Sequence, residues 1–357
     1  QCFVAQAHLA RRHDLPLAMH CRSAYDELLD AIRNDDKIPR KGVIHCFSGT
    51  YEQACAFLDL GYYLGIGGAI TYPNGDPLRE TVRRLGLDRI VIEPDAPYLP
   101  PQIKRGRRNE PSYLKHTLKA IADLTDLRYQ DAARLTKTNT IKLFELPEPI
   151  TSEMTYSVRQ TPYVCVTKRS PNDCYFCRRY DDYMVMGHLL KLDREPSAED
   201  LLSHIEDPTA WHEIVISGLG EPTMRWDVCL DVARNLKDAG GRVALNTSGL
   251  GSRINKRNIV PDMISIVDSV DINLIAHDKA TYNKIAKPEE PEYAWEAMLD
   301  FTRECKKGIP DVTLSVVAVP EVDVEACRKL AEDELQVRFR VREYRPNGYA
   351  ISGCLGN

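Results

Sequence analysis

The chain has 357 residues, long for one domain, so two domains of ordinary size are expected, each able to bury its own core. Apolar residues make up 43% and none of the apolar runs is long enough to span a bilayer, which argues against a membrane-embedded or disordered chain. The net charge of −5 divides into +2 over residues 1–150 and −7 over the rest, so neither half is a basic nucleic-acid coat and a polyanion would need a local patch or a metal.

The first pattern is helical, "FVAQAHLARRHDL". The sequence opens on Gln1 and runs straight into this pattern, so any upstream signal or domain portion is absent from it and targeting cannot be judged. Short β-branched or apolar runs then alternate with helices: "LPLAMH", "KGVIHCF", "GYYLGIGG" and "RIVIEPD", the spacing of parallel βαβ units. The Pro, Glu and Ser content of residues 147–153 marks a linker. Beyond it come six more strand signals, "YVCVT", "EIVISG", "RVALNTSG", "SVDINLI", "TLSVVAVP" and "FRVREY", enough for a partial barrel. Domain limits of 1–147 and 154–345 follow, with 346–357 as a tail. Eleven scattered cysteines, an odd number, suit a reducing compartment, so a cytoplasmic location without membrane contact is expected and the oligomeric state stays open.

In a parallel barrel the working residues sit at strand carboxyl ends. In the first half that rule selects His20, His45 and Asp95. Any one of these histidines alone would read as an ordinary strand-end residue. Together, imidazoles and a carboxylate at one mouth can bind a divalent metal and leave positions for a phosphodiester oxygen, which points to hydrolysis.

"HCFSGTYEQACAFLDLGYYLGIGG", "IEPDAPYLPP" and "KRGRRNEP" resemble sequence blocks of the TatD family of metal-dependent deoxyribonucleases, over about residues 1–146. The resemblance implies the C-terminal half of a TIM-like amidohydrolase barrel. It makes His20 and His45 ligands of a divalent metal (Mg, Mn or Zn), Asp95 a ligand and general base, and DNA the substrate. Arg22 and the run Lys104, Arg105, Arg107 and Arg108 are then candidates for phosphate contact, or else a solvated loop. Three departures stand out. The family's amino-terminal His-x-His pair and bridging glutamate do not occur. Pro94 replaces the threonine usual before the aspartate, and Glu93 shares a face with Asp95, so it cannot replace a ligand from another strand. A half barrel also leaves two sheet edges open, so weak nuclease activity is expected unless a longer chain or a partner covers them.

In the second half "CYFC" sets Cys174 and Cys177 two residues apart, a spacing that also fits half a zinc site. A strand leads in, and "SGLGEP" ends the next strand. "SPNDCYFC", "SGLGEPTMRWD", "LNTSGLG", "INLIAHDKATYNKI" and "FRVREY" resemble the radical SAM superfamily, in particular its TatD-associated branch, over about Tyr156 to Tyr344.

That resemblance implies an α/β partial (βα)6 barrel and a [4Fe–4S] cluster on a C-x3-C-x2-C loop, whose open iron chelates S-adenosylmethionine (SAM). Gly218, Gly220, Glu221 and Pro222 would shape the turn under the methionine, with Asn246 and Asn273 as further contacts. Ser170 stands where the first cysteine belongs. Cys165 is no ready substitute, since five extended residues span roughly 16 Å and it belongs to the strand body. Cys229, Cys305, Cys327 and Cys354 read as core or surface thiols. The function expected is a metal-dependent phosphodiester hydrolase fused to a radical SAM domain of unknown substrate. The alternative is a non-catalytic binding or scaffold protein derived from both.

Overall fold

The computed structural model describes residues 2–180, 182–342 and 344. Cys354 and the tail lie outside them. The chain divides into two units between Ile150 and Thr151. Among the described residues no helix is long and apolar enough to cross a membrane.

The first unit holds four parallel strands in chain order: β1 (Leu17–His20), β2 (Gly42–His45), β3 (Tyr63–Ile66) and β4 (Ile90–Ile92). Parallel neighbours need a crossover, and helices Tyr25–Arg33, Tyr51–Asp59 and Asp76–Leu85 supply the three. Thr50 and Gln53 close a reciprocal capping box at the start of the second, and Pro77 lies in the first turn of the third, where its missing N–H costs nothing. Phe47, Phe57, Tyr62, Ile44 and Leu64 fill the space between sheet and helices. From helix Tyr129–Phe144, the buried Asn139 donates to the carbonyls of Leu87 (2.7 Å) and Ile90 (2.8 Å), anchoring the edge strand. Strand β4 stops at Ile92, three residues short of the expected end at Asp95. Pro94 has no N–H to continue the ladder.

The second unit is a seven-stranded sheet of β5 (Thr155–Val158), β6 (Thr161–Cys165), β9 (Ile214–Ser217), β10 (Val243–Thr247), β11 (Ser269–Asn273), β12 (Asp311–Val317) and β13 (Arg338–Arg342), ordered β13-β12-β11-β10-β9-β6-β5. Strands β7 (Met184–Val185) and β8 (His188–Leu189) form a separate hairpin, turned through Met186 and Gly187 at φ 51° and 81°. The six expected strands are the parallel ones. β5, not anticipated, adds antiparallel to β6 at the edge. Val164, Ile216, Leu245, Ile272 and Leu314 face helices Trp226–Asp238 and Ala294–Gly308 in one apolar cluster, together with Cys229, Cys305 and Cys327. By strand alternation the opposite face carries Cys165, Ser217, Asn246, Asp271, Asn273 and Ser315. Tyr163, Val215 and Ala244 lie on that face as well, so the polar side chains of the sheet are gathered on one side among smaller apolar patches.

Candidate functional sites

In the first unit His20 and His45 end adjacent strands as direct register partners, and their rings stand 5.8 Å apart. Asp95 reaches the same place from the turn after β4. His45 Nε2 lies 3.7 Å from Asp95 Oδ1, and His45 Nδ1 lies 2.9 Å from Glu93 Oε1. A neutral ring that donates Nδ1–H to Glu93 leaves its Nε2 lone pair toward Asp95. Two metal–ligand bonds of about 2.1 Å can bridge such a gap, so this pair fits one edge of a metal centre. Among the described residues no group of three His, Cys, Asp or Glu side chains closes tightly enough to hold an ion alone.

Sequence reasoning placed Glu93 beside Asp95 but missed its task. Its Oε1 also accepts from the backbone N–H of Cys46, so it fixes both the ring of His45 and the turn that follows. Room for it comes from Gly65: a Cβ there would sit 2.4 Å from Glu93 Oε2. Burial first, then the charges of Glu93 and Asp95, push the Cys46 thiol up to about 11. Arg22 is exposed two residues past His20, and Arg105, Arg107 and Arg108 are exposed on the loop after Asp95. Arg105 and Lys104 lie over the rings of Tyr72 (4.5 Å) and Tyr113 (5.2 Å).

In the second unit the glycine turn is pressed onto the chain that enters the cysteine loop. Gly218 has φ 130°, and a Cβ on Gly220 would sit 2.2 Å from the Thr167 carbonyl oxygen. Glu221 N–H donates to Arg169 O at 2.7 Å. The Glu221 carboxylate is buried and fully engaged. Oε1 accepts from Thr223 N–H (3.1 Å), Thr223 Oγ1 (2.6 Å) and Thr247 Oγ1 (2.7 Å), and Oε2 from Ser248 N–H (2.6 Å). It therefore ties the end of β9 to the end of β10. Pro222 opens the short turn Pro222–Arg225. Asn246 is half-buried at the end of β10. Asn273 accepts from Arg342 Nη2 at 2.9 Å, and Arg342 also donates to Asp271 (3.1 Å) and Ser315.

Cys177 N–H donates to Cys174 O at 3.0 Å, making CYFC a tight turn. Burial, and then Cys177, push the Cys174 thiol up to about 12. Arg179 Nε donates to Cys177 Sγ at 3.4 Å, while its Nη2 donates to Asn172 O at 2.7 Å. Ser170 Oγ accepts from Asn172 N–H at 3.2 Å. Asn172 Nδ2 reaches the hydroxyl of the buried Tyr282 at 3.4 Å. Asn172 Oδ1 and Ser248 Oγ are buried without hydrogen-bond partners.

The donor set does not fit the cluster: the loop offers two thiols and an alcohol where three thiolates are required. Cys165 lies at the end of β6, its Sγ 3.0 Å from where a Gly218 Cβ would be. A cleft of about 910 Å³ opens elsewhere in the unit, lined by Pro171, Met224, Leu250 and Phe301, and none of the expected site residues lines it.

Fold and sites define the class: an α/β protein of two units, one with imidazoles and a carboxylate at its strand ends, the other with a cysteine loop packed on a glycine turn. Residues 1–145 match the family model for TatD related DNase, and residues 164–333 match the radical SAM superfamily. The chain thus joins a TatD-type domain to a radical SAM-type domain.

Among its relatives, the uncharacterised metal-dependent hydrolase YabD of Bacillus subtilis is 34% identical over 146 residues, covering 41% of this chain and 57% of YabD. YjjV of Escherichia coli, also an uncharacterised metal-dependent hydrolase, is 36% identical over 142 residues, covering 40% and 54%. The crystal structure of YjjV superposes with TM-score 0.38 over 40% of this chain and 54% of its own. A radical SAM methyltransferase from Sphaerobacter thermophilus, 16% identical, gives 0.38 over 56% and 71%. The chain spans just over half the length of the curated relatives it matches. The two families imply a divalent metal for the first domain, and an iron–sulfur cluster with SAM for the second.

Proposed function

We propose that the first domain serves a metal-dependent phosphodiester hydrolase acting on DNA, in a cytoplasmic protein. The observation that carries this reading is His45 held between two carboxylates, Glu93 on Nδ1 and Asp95 opposite Nε2. His20, His45 and Asp95 would contribute part of the ligand set of a Mg, Mn or Zn ion, since among the described residues they do not close into a complete site. Such an ion, when bound, supplies Lewis acidity toward a phosphoryl oxygen. Glu93 keeps His45 in the tautomer that offers Nε2, the usual office of an outer carboxylate. Asp95 is the base that takes the proton of the attacking water, and Arg22, Arg105 and Arg107 meet the flanking phosphates.

Oligonucleotide hydrolysis by the purified chain under a Mn²⁺ titration tests this. Activity should rise with metal, disappear with chelator and be lost in His45→Ala. Hydrolysis that survives both chelator and the substitution would refute it.

For the second domain the reading is a SAM-type binding unit. Gly218, Gly220 and Pro222 shape the turn, Glu221 locks it, and Asn246 and Asn273 face the ligand. Support comes from the polar side chains Ser217, Asn246, Asp271, Asn273 and Ser315 on one face of the sheet and from the partnerless Asn172 Oδ1 and Ser248 Oγ. Ser170 favours binding without radical chemistry, so no step through a cluster is assigned.

A further inference from the structure

The cysteine loop of the second unit lacks the third thiolate of a cluster, yet the chain holds its two sulfurs in a defined place. Cys177 N–H donates to Cys174 O at 3.0 Å, which closes residues 174–177 into a β-turn. The first and last Cα atoms of such a turn stand less than about 7 Å apart, and a disulfide needs about 4.4–6.8 Å. The turn is pinned from outside as well. Asp173 N–H donates to Ala286 O at 2.6 Å, Tyr180 N–H to Cys177 O at 3.0 Å, and Tyr175 OH to Glu321 Oε2 at 2.9 Å. Both thiols are free.

The two sulfurs differ in their surroundings. Cys174 packs against the apolar cluster of the sheet, whereas Cys177 Sγ accepts from Arg179 Nε at 3.4 Å. Arg179 is itself anchored, since its Nη2 donates to Asn172 O at 2.7 Å. A guanidinium fixed beside one sulfur of a Cys-x-x-Cys turn stabilises the negative charge that this sulfur carries as a nucleophile. Cys165, Cys229, Cys305 and Cys327 are buried, so among the described residues of this unit the loop pair is the one that solvent reaches. Ser170 Oγ accepts from Asn172 N–H within its own loop, and among the described residues no third His, Cys, Asp or Glu side chain joins the pair to build a zinc site.

We infer that Cys174 and Cys177 form a redox dithiol that exchanges with a low-molecular-weight disulfide, RSSR, rather than ligating iron. The Cys177 sulfur attacks one sulfur of RSSR. A bond forms between Cys177 and that sulfur, the RS–SR bond breaks, and the departing RS⁻ takes the electron pair and the proton that Cys177 gives up. Cys174 then attacks the Cys177 sulfur, the internal disulfide forms, and the second RS⁻ leaves with the Cys174 proton. Two protein thiols are thereby oxidised to one disulfide and RSSR is reduced to two RSH. Arg179 positions and polarises Cys177 for the first attack. The inference is independent of the ligand assigned to the glycine turn.

The test equilibrates the full chain anaerobically with mixtures of reduced and oxidised glutathione, quenches with an alkylating reagent, and reads the loop peptide by mass spectrometry. As the mixture becomes more oxidising, the wild-type peptide should pass from two alkylated cysteines to one internal disulfide. Cys174→Ser should trap one glutathione on Cys177, while Cys177→Ser leaves Cys174 unmodified. In the Cys174→Ser background Arg179→Ala should slow that capture about two- to tenfold, and Arg179→Lys should restore it. Circular dichroism checks the fold of each variant, and the wild-type measurement needs no substitution. A wild-type pair still fully alkylated in the most oxidising mixture overturns the inference. So does equal capture of glutathione by Cys174 in Cys177→Ser, or bound iron or zinc that shields the wild-type pair from alkylation.

Discussion

Gly65→Ala tests the claim that Glu93 positions His45. The added Cβ would lie 2.4 Å from Glu93 Oε2, 2.6 Å from Cδ and 2.7 Å from Oε1, where ordinary contact begins at 3.4 Å. Strand β3 is paired on both sides, to β2 and to β4, so the backbone cannot yield and the carboxylate must retreat by about 1 Å. That is enough to break the 2.9 Å contact with His45 Nδ1, which already stands at the usual length for a hydrogen bond. Losing such an outer partner typically costs 10- to 100-fold in metal affinity, about 1.4–2.7 kcal/mol. Folding should suffer less, because the clash is with the far end of a flexible side chain and alanine is the better strand residue. Isothermal titration of the chain with Mn²⁺ or Zn²⁺ should show this loss, and Glu93→Ala should match it. The double variant should bind no worse than either single one, since both remove the same contact. Wild-type affinity in Gly65→Ala, or losses that add in the double variant, would refute the reasoning.

Two further outcomes concern the second domain. Ser170→Cys restores the third thiolate, so anaerobic reconstitution should raise iron toward about four per chain with absorbance near 400 nm, as a [4Fe–4S] cluster requires; iron content equal to wild type would show that the serine was not the limiting defect. Glu221→Ala strands four buried donors, on Thr223, Thr247 and Ser248, and should destabilise the domain by about 3–5 kcal/mol in urea unfolding. A change under 1 kcal/mol would mean that the carboxylate does not hold the two strand ends together.

The strands that carry the sites were legible because β-branched runs such as Val43–Ile44 and Ile214–Ser217 are buried and bounded by turn residues. His20 and His45 were legible for the same reason, being the polar residues on which two such runs end. β5 was not, because "TYSV" is short and follows a Pro- and Glu-rich stretch, and it gains its strand character only by pairing with β6. Strand β4 was read too long because the apolar signal runs up to a proline that pairing cannot pass. Arg179 belongs to none of the motifs singled out in the sequence. Its grip on Cys177 and on the Asn172 carbonyl depends on a loop closure that no local pattern encodes.

A common cause lies behind the misses that matter most. In both domains a group is placed by a glycine that another part of the chain needs to be small: Gly65 makes room for the Glu93 carboxylate, and Gly220 for the carbonyls of Thr167 and Arg169. Periodicity reports which face of an element is apolar. It does not report which residue must lack a side chain so that a residue 28 positions away, as Glu93 is from Gly65, can occupy the space. The chemistry of each mouth therefore rests on close approaches between separate strands. The ligand types, by contrast, stand at strand ends, where any α/β chain displays its working residues, and that is why they were readable first.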